Sequence, residues 1–244
     1  MAAISATSGQ GGLSRQPVAI LWTGGKDSSL ALFEANRNGC DVRCLATFAP
    51  PKPVFLAHPL GVIEAQAEAL HLPHCVVEVV EPFEAGYEGA FNVLRREYGA
   101  IGVVTGDIAE VDRRPNWVTA RARAVGMQAY APLWERDRHE LLRRLLDTGF
   151  RALISCVDTR WLDPRWAGRF LDRDAIAELQ GIRARNGLDL CGENGEYHTL
   201  VVDGPMFASS IEIGARTRRS AGSLAYIDVR EVSLRPKESR PCTD

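Results

Sequence analysis

The sequence predicts an α/β fold: a Rossmann-like, parallel, five-stranded sheet with helices on both faces, followed by a smaller C-terminal α+β subdomain. Three observations carry this reading. Short apolar runs alternate with segments of helical period between Pro17 and Pro132, and such alternation implies a parallel sheet covered on both sides. A glycine-rich turn joins the first run directly to the first helical segment, at the edge where open α/β sheets bind ligands. Beyond Pro132 the rhythm changes, and apolar runs no longer alternate regularly with helices.

Val18–Trp22 is an uninterrupted apolar run, suited to a strand buried on both faces. Ser28–Asn38 has the helical pattern, with Leu30, Ala31, Leu32, Phe33 and Ala35 apolar and Gly39 as its stop. Val42–Phe48 reads as a second strand, ended by Pro50, Pro51 and Pro53. Gly61–Leu72 follows as a helix with Ile63, Ala67 and Leu70 on one face, then Cys75–Val80 as a third strand. Tyr87–Tyr98 is helical, Ile101–Thr105 a fourth strand, Val118–Val125 helical and Gln128–Ala131 a weaker fifth strand. Later come a helix at Asp137–Leu146, a strand at Ala152–Val157 and a helix near Asp174–Ala184. Leu200–Val202, Ser210–Ile213 and Ala225–Leu234 read as strands that need not be parallel. The expected organisation is a first domain over 17–132 and a smaller subdomain over 133–235. Residues 1–16 and 236–244 are expected to be disordered tails.

A chain of 244 residues buries a sizeable core without staples. Its 45% hydrophobic and 25% charged residues match an ordinary soluble globular protein. The formal charge of −2 offers no basic excess, so nucleic acid is not an expected partner. No apolar stretch approaches the ~20 residues of a membrane span, and no signal segment precedes the first strand. None of the six cysteines forms a CxxC pair, which removes zinc-type spacing and points to reduced thiols in a cytoplasmic protein. Arg and Ala are abundant, while Lys26, Lys52 and Lys237 are the only lysines. That composition suggests a GC-rich genome and singles out Lys26.

The turn that opens the first helix reads Thr23-Gly24-Gly25-Lys26-Asp27-Ser28-Ser29. Consecutive glycines let the backbone turn sharply and approach a ligand closely. Amide groups at a helix N-terminus then point at an anion. Three hydroxyls and the compact cation of Lys26 complete a phosphate cradle. The spacing is neither Walker A, because Ile20 and Asp27 stand where Gly and Ser or Thr are required, nor GxGxxG.

Thr23–Ser28 resembles the Ser-Gly-Gly-Lys-Asp-Ser PP-loop of ATP pyrophosphatases, with Thr for the first Ser. Gly192-Glu193-Asn194-Gly195-Glu196-Tyr197-His198-Thr199 resembles the Gly-Glu-Gly-Gly-Glu-Tyr-His-Thr signature of the diphthine–ammonia ligase family, with Asn194 for a Gly. Gly106-Asp107-Ile108, Pro132-Leu133-Trp134, Gly149-Phe150 and Asp203–Phe207 are also similar to that family, in the same order over roughly 17–213. The resemblance implies a HUP-type nucleotide-binding domain that splits ATP into AMP and pyrophosphate, with magnesium.

On that resemblance Thr23, Gly24, Gly25, Lys26, Asp27, Ser28 and Ser29 hold the leaving pyrophosphate, and Lys26 neutralises its charge. Asp27 holds magnesium, orients Lys26, or is simply an early-helix acid; no dedicated metal site is expected. Gly106 and Asp107, at the end of the fourth strand, and His58, past the second, are candidates to reach the nucleotide. Asp107 equally reads as a cap and His58 as a loop residue. Glu193 and Glu196 are candidate catalytic acids that bind a cationic substrate, position ammonium or act as bases. Gly192, Asn194, Gly195, Tyr197, His198 and Thr199 complete the expected substrate loop. Trp134, Trp161 and Trp166 form either an aromatic wall or core. Arg113, Arg114, Arg121 and Arg123 read as a solvated helix face.

The expected reaction is adenylation of a carboxylate followed by displacement of AMP by free ammonia, since the sequence carries no glutaminase domain. The family does this to diphthine on elongation factor two, a partner here only if the source makes diphthamide. The composition hints at a bacterial source, where another carboxylate would take its place. Two alternatives stand beside it: a PP-loop sulfur transferase using Cys156 or Cys191, and a non-catalytic adenine-nucleotide sensor. The C-terminal strands and tryptophans offer a surface for a homodimer.

Overall fold

Val18, Ala19 and Ile20 are fully buried, as an apolar run with no solvent face must be when helices cover both sides of its strand. The computed structural model describes residues 14–110 and 116–237. The first half runs β1 (Pro17–Leu21), α1 (Lys26–Arg37), β2 (Asp41–Ala49), α2 (Leu60–Leu70), β3 (His74–Glu78), α3 (Phe83–Tyr98), β4 (Gly102–Val104), α4 (Trp117–Ala124) and β5 (Gln128–Tyr130). Its strands form one five-stranded sheet in the order β3-β2-β1-β4-β5, and every neighbouring pair is parallel. Chain order reverses between β1 and β4, so the crevice beyond their carboxyl ends is the topological switch point.

Side chains of β1 alternate between two cores, as the two-residue period of a strand requires. Val18 and Ile20 pack with Leu30 and Leu32 of α1 and Ile63 of α2. Ala19 packs on the other face with Phe91 and Leu94 of α3 and Ala122 of α4.

The second half runs α5 (Arg138–Asp147), β6 (Arg151–Asp158), α6 (Arg173–Asn186), β7 (Tyr197–Asp203), β8 (Ser209–Ile213), β9 (Arg216–Ala221), β10 (Leu224–Val229) and β11 (Val232–Pro236). Four of these strands make an antiparallel sheet in the order β7-β6-β10-β9, while β8 and β11 form a separate ribbon. Asp172 caps α6 by accepting the Ala175 amide, and left-handed Gly187 closes it.

Several boundaries differ from the expectation. The run Ala225–Leu234 is two strands in two sheets, broken at Arg230 and Glu231. Strand β9 escaped the sequence reading because all six of its residues are exposed, so burial imposes no apolar alternation on it. Pro236, assigned to a tail, lies within β11. Arg15 and Gln16, also assigned to a tail, hydrogen-bond to Gly39 and Asp41 beside the sheet. The remainder of both tails, with Arg113 and Arg114, lies outside the described residues.

The two halves are joined by hydrogen bonds that converge on Gly24. Its carbonyl accepts the Val201 amide of β7 at 2.9 Å. It also accepts Nε2 of Gln66, a fully buried residue of α2, at 2.8 Å. The same Nε2 donates to the Val201 carbonyl at 2.8 Å, while Oε1 accepts the Trp22 indole N–H at 3.0 Å. Gln66 therefore fastens strand end, loop, helix and C-terminal sheet at one point. The substitution Gln66→Met keeps the volume but leaves these buried groups short of partners, at an expected cost of about 2–4 kcal/mol. Urea unfolding should show a lower midpoint with an unchanged m-value; a loss below ~0.5 kcal/mol would show that the clasp does not stabilise the fold.

Candidate active site

The chain leaves β1 through Thr23, Gly24 and Gly25 and enters α1 at Lys26. Gly24 has φ +74°, and a Cβ there would lie 2.2 Å from Oε1 of Gln66. Only glycine fits both the left-handed backbone and the contact. Gly25 is extended and supplies no side-chain cap to α1. The first-turn amides of a helix have no intrahelical acceptor. That of Lys26 donates to Oγ1 of Thr199 at 3.0 Å, which leaves those of Asp27 and Ser28 as the natural anion donors. From the β4 side, Gly106 presses on the same turn: a Cβ there would lie 2.7 Å from the Asp27 carbonyl carbon.

Lys26 is 5% exposed. Its ammonium donates to Oδ2 of Asp27 at 2.6 Å and to the Cys191 carbonyl, and lies 5.4 Å from the centre of the Tyr197 ring. Burial pulls its pKa down, but Asp27, Tyr197 and Cys191 around it, with the Asp27 hydrogen bond, together outweigh burial and hold it above the usual lysine value. Lys26 is therefore an ammonium at neutral pH. Tyr197 is held in turn by its hydroxyl, which donates to the Leu190 carbonyl at 2.6 Å. Gly192, at φ +75°, brings the Cys191 carbonyl to Lys26; a Cβ on Gly192 would strike the Tyr197 carbonyl oxygen at 2.6 Å.

These elements enclose a cavity of about 610 Å³, within the range of small-ligand sites. Thr23, Gly25, Lys26, Asp27, Ser28, His58, Gly106 and Asp107 line it from the first half. Gly192, Glu193, Gly195, Tyr197, His198 and Thr199 line it from the second. The structure thus brings together most of the residues that the sequence singles out. Gly24 and Ser29 sit beneath the loop and do not line the cavity. Thr47, Phe48, Phe55, Ile63 and Tyr87 add walls that sequence reasoning missed. Gln66 was missed as well, although a glutamine beside Ala67 on an apolar helix face is a signal in itself.

The two acids of the signature loop part company. Glu196 was the expected second catalytic acid, but it is fully buried and faces away from the cavity. Its carboxylate accepts the Asp189 and Asn194 amides, both at 2.9 Å, and the Asn194 side chain at 3.1 Å. It is the clasp of the loop, and Asn194 is part of that clasp rather than of the cavity wall. Glu193 does line the cavity. Burial, reinforced by the charge of Asp27, pushes its pKa up to about 7. Burial and Asp27 also raise Asp107, against a hydrogen bond from Thr105. His58 and His198 meet edge to face at 5.3 Å. Burial drives both pKa values down, to about 3 for His58, with help from His198 and Lys26. Both rings are neutral at pH 7.

The expected tryptophan wall is divided. Trp166 is buried core, while Trp134 borders a second cavity. Arg121 pairs with Glu88 at 2.9 Å and lies over the Trp117 ring. Among the described residues no helix is long and apolar enough to cross a membrane.

Comparison with known proteins matches residues 16–129 to the diphthamide synthase N-terminal domain and residues 137–234 to the diphthamide synthase C-terminal domain. The chain belongs to the diphthine–ammonia ligase family. It is 25% identical to the human diphthine–ammonia ligase over 91% of this chain and 94% of that protein. It is 26% identical to the Danio rerio enzyme of that name, over 80% of this chain and 85% of the relative. The Schizosaccharomyces pombe relative is also 26% identical over 86% of this chain, which spans only 38% of that longer protein. A solved structure, a predicted subunit of tRNA methyltransferase from Methanocaldococcus jannaschii, is 19% identical with a TM-score of 0.44, covering 78% of this chain and 97% of its own. The family's two domain models meet between β5 and α5, and the cavity draws its lining from both.

Glu193 generates a stability prediction. A carboxyl raised in the folded state binds its proton more tightly there than in the unfolded chain, so its ionisation opposes folding. Its contribution to stability therefore falls as pH rises from the ordinary value of 4.5 to about 7. Glu193→Gln should be more stable than the parent at pH 8, by on the order of 1 kcal/mol after solvent screening, with the difference gone near pH 4.5. Thermal melts of both proteins at the two pH values check this. A parent more stable than the variant at pH 8 would show Glu193 to be stabilised as a carboxylate.

Proposed function

We propose that the chain is an ATP-dependent ligase that adenylates a carboxylate and passes it to ammonia. The acceptor is diphthine, which its relatives carry in their name, borne on elongation factor two where the organism makes diphthamide. One observation carries this reading. The buried ammonium of Lys26 sits at the phosphate loop, in the same cavity as the Glu193 carboxyl, which burial raises to about 7.

The reaction has two displacements. An oxygen of the acceptor carboxylate attacks the α-phosphorus, and the bond from phosphorus to the pyrophosphate oxygen breaks. Ammonia then attacks the activated carbonyl carbon, and the bond from carbon to the AMP oxygen breaks. Lys26 and the first-turn amides of α1 stabilise the charge that builds on the departing pyrophosphate. Asp27 holds Lys26 in place and, together with Asp107, supplies carboxylate oxygens of the kind magnesium takes. The ion would screen phosphate charge. Glu193, ionised above pH 7, removes a proton from ammonium or from the attacking nitrogen. Tyr197 packs under Lys26 and keeps its hydroxyl proton on the Leu190 carbonyl.

Sulfur transfer finds less support. Burial raises the Cys191 thiol to about 12 and the Cys156 thiol to about 11. Both stay protonated at neutral pH, and the thiolate is the nucleophile.

The test supplies ATP, magnesium, ¹⁵N-ammonium and a diphthine-bearing acceptor, and reads nucleotides and acceptor mass together. The expected products are AMP, pyrophosphate and an acceptor with ¹⁵N in place of a carboxyl oxygen. Lys26→Ala should lower the rate on the order of 10²–10³-fold. The parent rate should rise with pH toward a plateau above about 7, and Glu193→Gln should remove that rise. ADP and phosphate as products would overturn the assignment.

A further inference from the structure

The cavity beside the phosphate loop has a neighbour. A second cavity of about 600 Å³ adjoins it, and Phe48, Tyr87, Asp107 and Val118 line both. Its remaining walls include Phe83, Trp117 and Trp134. Tyr87 stands edge-on to Phe48 at 5.2 Å and to Trp117 at 6.1 Å, each at 82°. Phe83, at the start of α3, is 51% exposed, an aromatic ring left uncovered at the rim.

Two acids, Asp107 and Glu84, line this space, and no Lys or Arg is among its described lining residues. Aromatic faces with carboxylates beside them attract a cation. A quaternary ammonium asks for ring faces and negative charge alone, and this wall provides both.

We infer that this second cavity receives the quaternary ammonium head of the acceptor, while the acceptor's carboxylate reaches past Asp107 and Tyr87 into the first. The inference rests on the ligase reading above, whose acceptor is a betaine, with a trimethylammonium group beside the carboxylate. The new element is the place: Phe83, Glu84, Trp117 and Trp134 hold the head, and Asp107 stands where the two cavities meet.

Two probes of equal shape test it: 2-(trimethylammonio)butanoate and its uncharged isostere, 2-tert-butylbutanoate. Each is titrated into the full chain with AMP present, and binding is read by ligand-observed NMR. The charged probe is expected to bind about tenfold more tightly than the isostere. Glu84→Gln and Trp134→Leu should each close that gap several-fold while moving the isostere by less than about twofold. Equal binding of the two probes to the parent protein overturns the inference. So does failure of the charged probe to bind at tens of millimolar, or its competitive displacement by AMP, which would give the aromatic cavity to the nucleotide. The parent comparison needs no variant and survives any folding defect. Failure of the ligase reading registers separately, as absence of AMP and pyrophosphate in the ¹⁵N assay.

Discussion

The site depends on one docking contact, the laying of β7 across the phosphate loop. Gly24 offers a single carbonyl, and it takes donors from Val201 of the second half and from Gln66 of α2. Two residues away along each of the two segments, Thr199 accepts the Lys26 amide. A phosphate loop in a nucleotide-binding domain ordinarily needs only its own strand and helix. Here the loop is completed by a strand more than 170 residues later. Lys26 follows the same logic. A buried ammonium is costly unless it is paired and hydrogen-bonded, and one of its two acceptors, the Cys191 carbonyl, comes from the far half. The C-terminal region is thus a structural part of the glycine-rich loop's surroundings as well as the expected substrate side.

The signature loop owes its shape to a division of labour between two glutamates three residues apart. Glu196 turns inward and satisfies three N–H groups of the loop that carries it. That leaves Glu193 presented to the cavity by a turn whose left-handed positions are Gly192 and Gly195. Asn194 is not among the left-handed residues, so the family glycine it replaces is not needed for backbone freedom. Its side chain instead adds a hydrogen bond to Glu196. The replacement tightens the loop and leaves the cavity wall unchanged.

Much of this was legible in the sequence, for identifiable reasons. The parallel sheet was readable because β1 is buried on both faces and apolar from Val18 to Leu21, and β2 is buried from Cys44 to Thr47. The phosphate loop was readable because left-handed backbone and close contact leave glycine as the only choice at Gly24. What stayed hidden lacks such a local constraint. Strand β9 is exposed along its whole length. Glu196 and Glu193 look alike until the fold decides which one meets the backbone amides. Gln66 is one polar residue in an apolar helix face, and its partners lie 42, 44 and 135 residues away. Tyr87 and Phe48 read as ordinary core residues in their own elements, and only the meeting of α3 with the end of β2 turns them into cavity wall.

Charge balance connects the chemistry to this architecture. Asp27, Asp107 and Glu193 line the first cavity, while Lys26 is the lysine that faces them. A triphosphate entering such a space meets more negative than positive charge, and low local dielectric sharpens the conflict. Each acid meets the conflict in its own way. Asp27 is paired with Lys26. Glu193, near neutrality, changes charge at the pH where ammonium must give up a proton. Asp107 borders both cavities and is raised by burial and by Asp27, so a fixed positive charge beside it relieves a penalty already present in the folded chain. An acceptor carrying a permanent cation next to its carboxylate supplies that charge and brings the reacting oxygen to the phosphate side of the same wall. On the proposed reading, the surplus of carboxylates, which would weaken a simple nucleotide-binding site, is what suits two adjoining cavities to a nucleotide, ammonia and a cationic acceptor.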